Sequence, residues 1–247
     1  MVNSENIYDK IKDMFGEVQD SLNILEEQID VDIQMQYYEY SKNHSNNFNP
    51  EEVIKNKEDI FHSNISIEDK KRMLVELASI DNIEAFRTIE RYLKNANHNL
   101  LDWARLALQE SKLLIESNLL DRNQVLISTG LGGKGLKLRY FVVIFSKTEE
   151  SFSEFQKKII NSELSFLLKK HDAEIENINF EKDLFTLLSV IPLNVPIQDI
   201  FNSFISDCNQ FGNFLNKKYL ITNVKILTIN DIREFLAENL EHFRSIN

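Results

Sequence analysis

Leu138-Arg139-Tyr140-Phe141-Val142-Val143-Ile144-Phe145 is dense in β-branched and aromatic residues. That composition fits a half- or fully buried strand. Its strongly apolar part, Tyr140 to Phe145, is the longest in the chain. It is far shorter than the ~20 residues a membrane-spanning helix needs. Reading outward from it, Ser151 to Lys170 predicts a helix with Phe152, Phe155, Ile159, Phe166 and Leu167 as its apolar residues. Glu174–Phe180 and Leu184–Ile191 read as two strands joined near Lys182-Asp183. Pro196 opens a helix with Ile197, Ile200, Phe201, Phe204, Ile205 and Cys208 on one face, and Gly212 stands just past its end, where a C-terminal cap belongs. Tyr219–Leu227 is a further strand. Asn230 or Asp231 caps a last helix that carries Ile232, Phe235, Leu236, Leu240 and Phe243.

From Leu138 onward the order is therefore β-α-β-β-α-β-α. Each amphipathic helix needs one face of a sheet, and right-handed crossovers place both helices on the same face. This order resembles a ferredoxin-like βαββαβ sandwich with a C-terminal helix. That topology hosts many unrelated functions, so the resemblance implies no activity.

Toward the N-terminus the period is helical. Tyr8, Ile11, Phe15, Val18, Leu22, Leu25 and Ile29 recur at alternating spacings of three and four, which predicts one long helix over residues 1–40. Its seam packs on the chain's own bundle or on a second copy, giving a homodimer through residues 8–29. Residues 41–50 are a polar break of Ser, Asn, Lys and His, closed by Pro50, which suits a first helical position. Ser66-Ile67-Glu68-Asp69 looks like a helix cap, followed by Met73, Leu74, Leu77 and Ala78. Asp81-Asn82-Ile83-Glu84 starts another helix, and Asn99 caps a third with Leu100, Trp103, Ala104, Ala107, Leu108, Leu114 and Ile115. Glu84-Ala85-Phe86, Ile89, Tyr92-Leu93, Leu100-Leu101, Trp103-Ala104 and Ala107-Leu108 resemble one HEAT-like helix pair over residues 81–117. That resemblance implies protein–protein interaction and no chemistry. The period changes after Leu120. The expected organisation is α+β: a helical domain, a bundle or HEAT-like, over 1–120, and a hairpin plus ferredoxin-like domain over 121–247.

Four of the six glycines fall within six residues, at Gly130, Gly132, Gly133 and Gly135. Glycine permits φ > 0 and close approach of another group to the backbone. With Lys134, Lys137 and Arg139 alongside, exposed amides suit an anion, a phosphate or a nucleic-acid backbone. The segment is not a P-loop, because Gly133-Lys134 is followed by Gly135 and a strand instead of a hydroxyl residue and a helix. It also reads as a mobile β-hairpin tip between Gln124–Thr129 and Leu138–Phe145. These seven residues are the candidate binding site.

Charge and composition bound the rest. The 39 acidic residues exceed the 28 basic ones, for a net −11, which argues against a wholly basic nucleic-acid binder. The acidity is concentrated in residues 1–60, with 14 acids against 5 bases. A single cysteine, Cys208, excludes an intramolecular disulfide and suits the reducing cytoplasm. The five histidines are scattered without metal spacing, and no nucleophile elbow occurs. No catalytic residue, metal or cofactor is assigned. The leading expectation is a non-enzymatic cytoplasmic interaction or scaffold module with a protein partner and no membrane contact. The alternatives are binding of RNA or a ribonucleoprotein through the glycine-rich hairpin, with Tyr140, Phe141 and Tyr219 as stacking platforms, or a small-anion sensor or enzyme using the same loop.

Overall fold

The computed structural model describes residues 21–44, 48–148 and 150–239. They divide into two compact units, one within residues 19–128 and one from residue 129 onward.

The first unit is helical. Its strand β1 (Leu22–Ile24) is followed by α1 (Val31–His44), α2 (Pro50–Lys55), a short 3-10 turn (Lys57–Phe61), α3 (Ile67–Ala78), α4 (Ile83–Leu93), α5 (His98–Leu120) and β2 (Val125–Ile127). The caps follow the sequence signals. The Asn49 side chain accepts from Glu51 N ahead of Pro50, Ser66 accepts from Asp69 N, and Asn82 accepts from Glu84 N and Ala85 N. The third start differs, because Asn97 is the cap and Asn99 lies inside the first turn. Leu25, Ile29, Tyr37, Leu74, Leu77, Ile89, Leu100, Trp103 and Leu106 form one buried core. Its helices surround that single core, and no stack of repeats is formed among the described residues.

The long N-terminal helix is corrected. Leu22 and Ile24 are buried on either side of half-buried Asn23, a period of two, and β1 pairs in parallel with β2 (Leu22 opposite Val125, Ile24 opposite Ile127). Leu25 N extends the pairing by donating to Ile127 O at 2.9 Å. Asp30 then starts α1: its carboxylate accepts from Asp32 N at 2.7 Å and its carbonyl from Gln34 N. Leu22, Leu25 and Ile29 are thus core residues outside any helix, so the dimer seam over 8–29 is not formed there; Tyr8 to Val18 lie outside the described residues. The same pairing corrects the hairpin between Gln124–Thr129 and Leu138–Phe145, because β2 already has its partner in β1.

The second unit runs β3 (Gly133–Lys134), β4 (Lys137–Ser146), α6 (Glu154–Lys170), β5 (Glu174–Phe180), β6 (Leu184–Pro192), α7 (Ile197–Asn209), β7 (Leu215–Thr222) and α8 (Ile229–Glu238). Strand β4 is central. It pairs antiparallel with β6 on one side and with β7 and β3 on the other, while β5 pairs antiparallel with β6 at the far edge. The order β7-β4-β6-β5, with α6 and α7 as crossovers, is the βαββαβ sandwich expected from the element order. Helices α6 and α7 pack on each other. On the other face Phe141, Val143, Phe145 and Leu184 meet Leu131 and Ile232 of α8. Strand β7 ends at Thr222, five residues earlier than read from sequence, and residues 223–227 form a loop. Helix α6 is capped by a reciprocal Ser153–Gln156 box, but it buries Ile159, Ile160, Leu164, Leu167 and Leu168 and leaves Phe155 and Phe166 exposed.

Candidate nucleic-acid interface

The structure brings all seven glycine-loop residues together, and most of the segment is buried. Leu131 is fully buried, and its N–H donates to Asn223 O at 3.0 Å. A Cβ on Gly130 would lie 1.8 Å from Val224 O, so this glycine is required by the close passage of the 223–224 backbone. Gly133 and Lys134 pair with Leu138 and Lys137, and Gly135-Leu136 forms the two-residue turn with Gly135 at φ +58°. Only residues 134–136 are exposed, in place of a protruding glycine tip.

The loop's cations have partners on β5 and just before it. Lys134 Nζ lies 2.7 Å from Glu174, and Lys137 Nζ lies 3.3 Å from Glu174 and 3.2 Å from Asp172. Arg139 donates to both Glu176 oxygens, at 2.5 and 2.9 Å, and to Leu131 O at 2.6 Å. Hydrogen bonds from Lys134 and then Lys137 hold the Glu174 carboxyl below its usual range. Three cations therefore stand against three carboxylates. The expected stacking platforms are corrected in part: Tyr140 and Phe141 are buried in the sheet and present no ring, while Tyr219 is half-buried.

A different site lies on α7 and the start of β7. A cleft of about 440 Å³ is lined by Asn202, Ile205, Ser206, Asn209, Gln210, Asn213 and Lys217. Asn202, Ser206 and Asn209 follow at i, i+4 and i+7, which places them on one side of α7 beside its buried stripe of Phe201, Phe204, Ile205 and Cys208. Gly212 at φ +137° and Asn213 at φ +54° turn the chain back into β7. Asn209 fixes that turn, since its amide donates to Leu215 O and accepts from Leu215 N at 2.9 and 2.8 Å.

The other amides are held by one end only. Asn202 Oδ1 accepts from the Tyr219 hydroxyl at 3.1 Å, and Asn213 Oδ1 accepts from Lys147 Nζ. Burial, and then the charge of Asp199, push the Tyr219 hydroxyl above its ordinary range, so it stays a donor. The Asn202 and Asn213 amide nitrogens make no hydrogen bond among the described residues, and Lys217 makes no ion pair there. Among the described residues no carboxylate lines the cleft, and Asp207 accepts from the Gln210 amide at 3.4 Å. Phe211, 55% exposed, follows Gln210 directly. Such a lining presents donors and switchable amides to an acceptor-rich or anionic ligand. Amide pairs read base edges, a phenyl face stacks on a base, and lysines take phosphates. The signal was present in the sequence as Asn202, Ser206, Asn209, Gln210 and Asn213. Apolar periodicity does not register it, because these residues lie beside the buried stripe of α7 or just past its end.

A cleft of about 620 Å³ in the helical unit has the opposite character, with Glu52, Asp59, Asp69 and Glu76 outnumbering Lys57 and Arg72. Burial raises the Glu76 carboxyl there, against the lowering effect of Arg72. Among the described residues, no group of three or more His, Cys, Asp or Glu is placed to hold a metal. No helix among them is long and apolar enough to cross a membrane.

No family model and no curated protein matches the sequence. Solved structures do show similarity. One is a protein from Deinococcus radiodurans R1 whose assignment as a transposase is provisional; it is 16% identical, with TM-score 0.37, covering 43% of this chain and 93% of that one. Another is a REP-associated tyrosine transposase bound to a REP hairpin; it is 8% identical, with TM-score 0.32, covering 42% of this chain and 67% of that one. These neighbours correct the expectation of a non-enzymatic scaffold built on a helical repeat. Neither the scaffold role nor the exclusion of enzymatic activity is retained, while at such TM-scores the likeness assigns this chain no activity of its own.

Proposed function

We propose that the sheet unit binds single-stranded nucleic acid at the amide-lined cleft of α7 and β7. The observation that carries this reading is the lining itself: four amides, a serine, an isoleucine and a lysine, with no carboxylate among the described residues, in a chain of net charge −11. The distribution of charge supports it. Residues 129–247 hold 14 bases against 15 acids, whereas residues 19–128 hold 12 against 20. A polyanion is repelled less by the sheet unit than by the helical one. The glycine-rich hairpin contributes less, because an incoming phosphate must first displace Asp172, Glu174 and Glu176 from its cations.

Fluorescence anisotropy of the full chain with labelled single-stranded RNA and DNA tests the reading. Binding should weaken with salt. Lys217→Ala should reduce the slope of log K against log salt by about 0.7, the value for one single-strand phosphate contact. Asn202→Ala should weaken binding about tenfold, within the range of a lost amide–base pair. Wild-type protein that binds neither strand at low salt overturns the proposal.

A further inference from the structure

Helix α6 carries a second feature that neither the core nor the cleft uses. Phe155 and Phe166 are 64% and 67% exposed, although phenylalanines are ordinarily core residues. They are eleven residues apart, three full turns, so both lie on one face at an axial separation of about 16 Å. Lys158, Ser162, Ser165 and Lys169 share that face and are exposed. Of the two acids of the helix, Glu154 borders the stripe beside Phe155, one turn before Lys158, and Glu163 lies to its side. Glu154 is held by Lys157 at 2.8 Å, and Lys157 in turn sits over the Phe180 ring. Glu163 lies toward α7, where burial above all, and then the charges of Glu163 and Asp207, raise the Cys208 thiol. The exposed stripe therefore combines two phenyl faces and two ammonium groups, and the one carboxylate of the helix at its border, Glu154, is already paired with Lys157.

We infer that this stripe is a second contact for the same single-stranded nucleic acid, with Phe155 and Phe166 stacking on bases and Lys158 and Lys169 meeting phosphates. The inference rests on the nucleic-acid reading of the cleft and extends it to a bivalent grip. Charge complementarity selects this occupant. A second copy of the chain packed face to face through a two-fold axis would bring the lysines of both copies into one interface. A polyanion neutralises them, and base stacking covers the phenyls.

The test compares wild type, Phe155→Ala/Phe166→Ala and Lys158→Gln/Lys169→Gln, with Lys217→Ala as the reference for the cleft. Labelled single strands of increasing length report affinity by anisotropy, and circular dichroism checks the fold. The expected result is unchanged folding, about a tenfold loss per phenyl on long strands and little loss on strands too short to leave the cleft. The lysine variant should lower the salt slope by about 1.4. If wild type binds and Lys217→Ala weakens it while the phenyl variant binds long strands normally, this inference fails and the cleft reading stands. If wild type binds no strand, both fail. Two further results overturn the inference: loss of anionic phosphatidylglycerol vesicle binding in the phenyl variant with strand binding intact, and a wild-type dimer that becomes monomeric on removing the phenyls.

Discussion

The β3–β4 hairpin and the α7–β7 cleft both place lysines near backbone turns that depend on glycine or asparagine, yet their electrostatics are opposite. At the hairpin, each cation meets a carboxylate of the β5 region, and the glycines serve packing: Gly130 passes under Val224 and Gly135 makes the turn. At the cleft, Lys217 stands among amides, and those of Asn202 and Asn213 have their carbonyl ends occupied but make no N–H hydrogen bond among the described residues. A basic cluster in sequence is therefore a site only when the fold leaves its charge uncompensated. The partners that decide this, Asp172, Glu174 and Glu176, lie about forty residues further along the chain.

If the hairpin is structural, its substitutions should act on stability. Gly130→Ala should show the largest effect. The new Cβ would lie 1.8 Å from a backbone oxygen, which no rotamer can relieve. Forced overpacking of this kind costs about 3 kcal/mol. Gly135→Ala meets nothing within 4 Å and bears only the left-handed backbone cost of about 1 kcal/mol. Chemical denaturation of the two variants measures the difference, and equal midpoints would remove the packing role of Gly130. Next in size is Arg139→Ala, which leaves the buried Leu131 carbonyl without its 2.6 Å donor and should cost about 1–2 kcal/mol in the same assay.

Much of this architecture was legible because local signals and tertiary needs agree. The run from Tyr140 to Phe145 is the central strand, Ser66 and Asn82 cap the helices they precede, and Gly212 follows α7. The reading failed where a pattern fits two periods. Leu22, Leu25 and Ile29 match a heptad seam, yet Leu22 and Ile24 also match a strand, and a partner more than a hundred residues away, β2, selects the strand. Phe155 and Phe166 failed differently. Helical spacing shows that they share a face but not whether a neighbour covers it, and α6 buries Ile159, Ile160, Leu164, Leu167 and Leu168 instead. The site divides in the same way. Its glycines announced special backbone, whereas the amides of α7 lay on a face that apolar periodicity ignores.

The contrast in binding is sharper than the contrast in stability. Lys134→Ala/Lys137→Ala should leave both the denaturation midpoint and the nucleic-acid affinity nearly unchanged at neutral pH, because exposed ion pairs contribute little and these lysines are already neutralised. Lys217→Ala should leave the midpoint unchanged and weaken binding. Anisotropy titrations at several salt concentrations separate the two. A Lys134/Lys137 variant that loses as much affinity as Lys217→Ala would move the site back to the hairpin.

The smallest effect should come from acid, and it can make the two regions alike. Lys134 and Lys137 hold the Glu174 carboxyl below its ordinary value, so it stays ionised in the fold at a pH where the unfolded chain already takes up a proton. The stabilisation this provides is present above the unfolded carboxylate range and is lost as pH falls through the lowered folded value. Over the same interval Lys134 and Lys137 lose their contact with a charged Glu174, Lys137 keeping Asp172, while nucleic-acid phosphates remain charged. Wild type and Lys134→Ala/Lys137→Ala should therefore bind a single strand equally at neutral pH. They should separate only below the ordinary carboxylate range, where wild type gains a small hairpin-dependent component. Glu174→Gln should bring that gain up to neutral pH, since it removes the carboxylate without moving the backbone. A Glu174→Gln variant with wild-type affinity at every pH would show that the hairpin takes no phosphate even when its charge is released, leaving binding to the cleft and the α6 stripe.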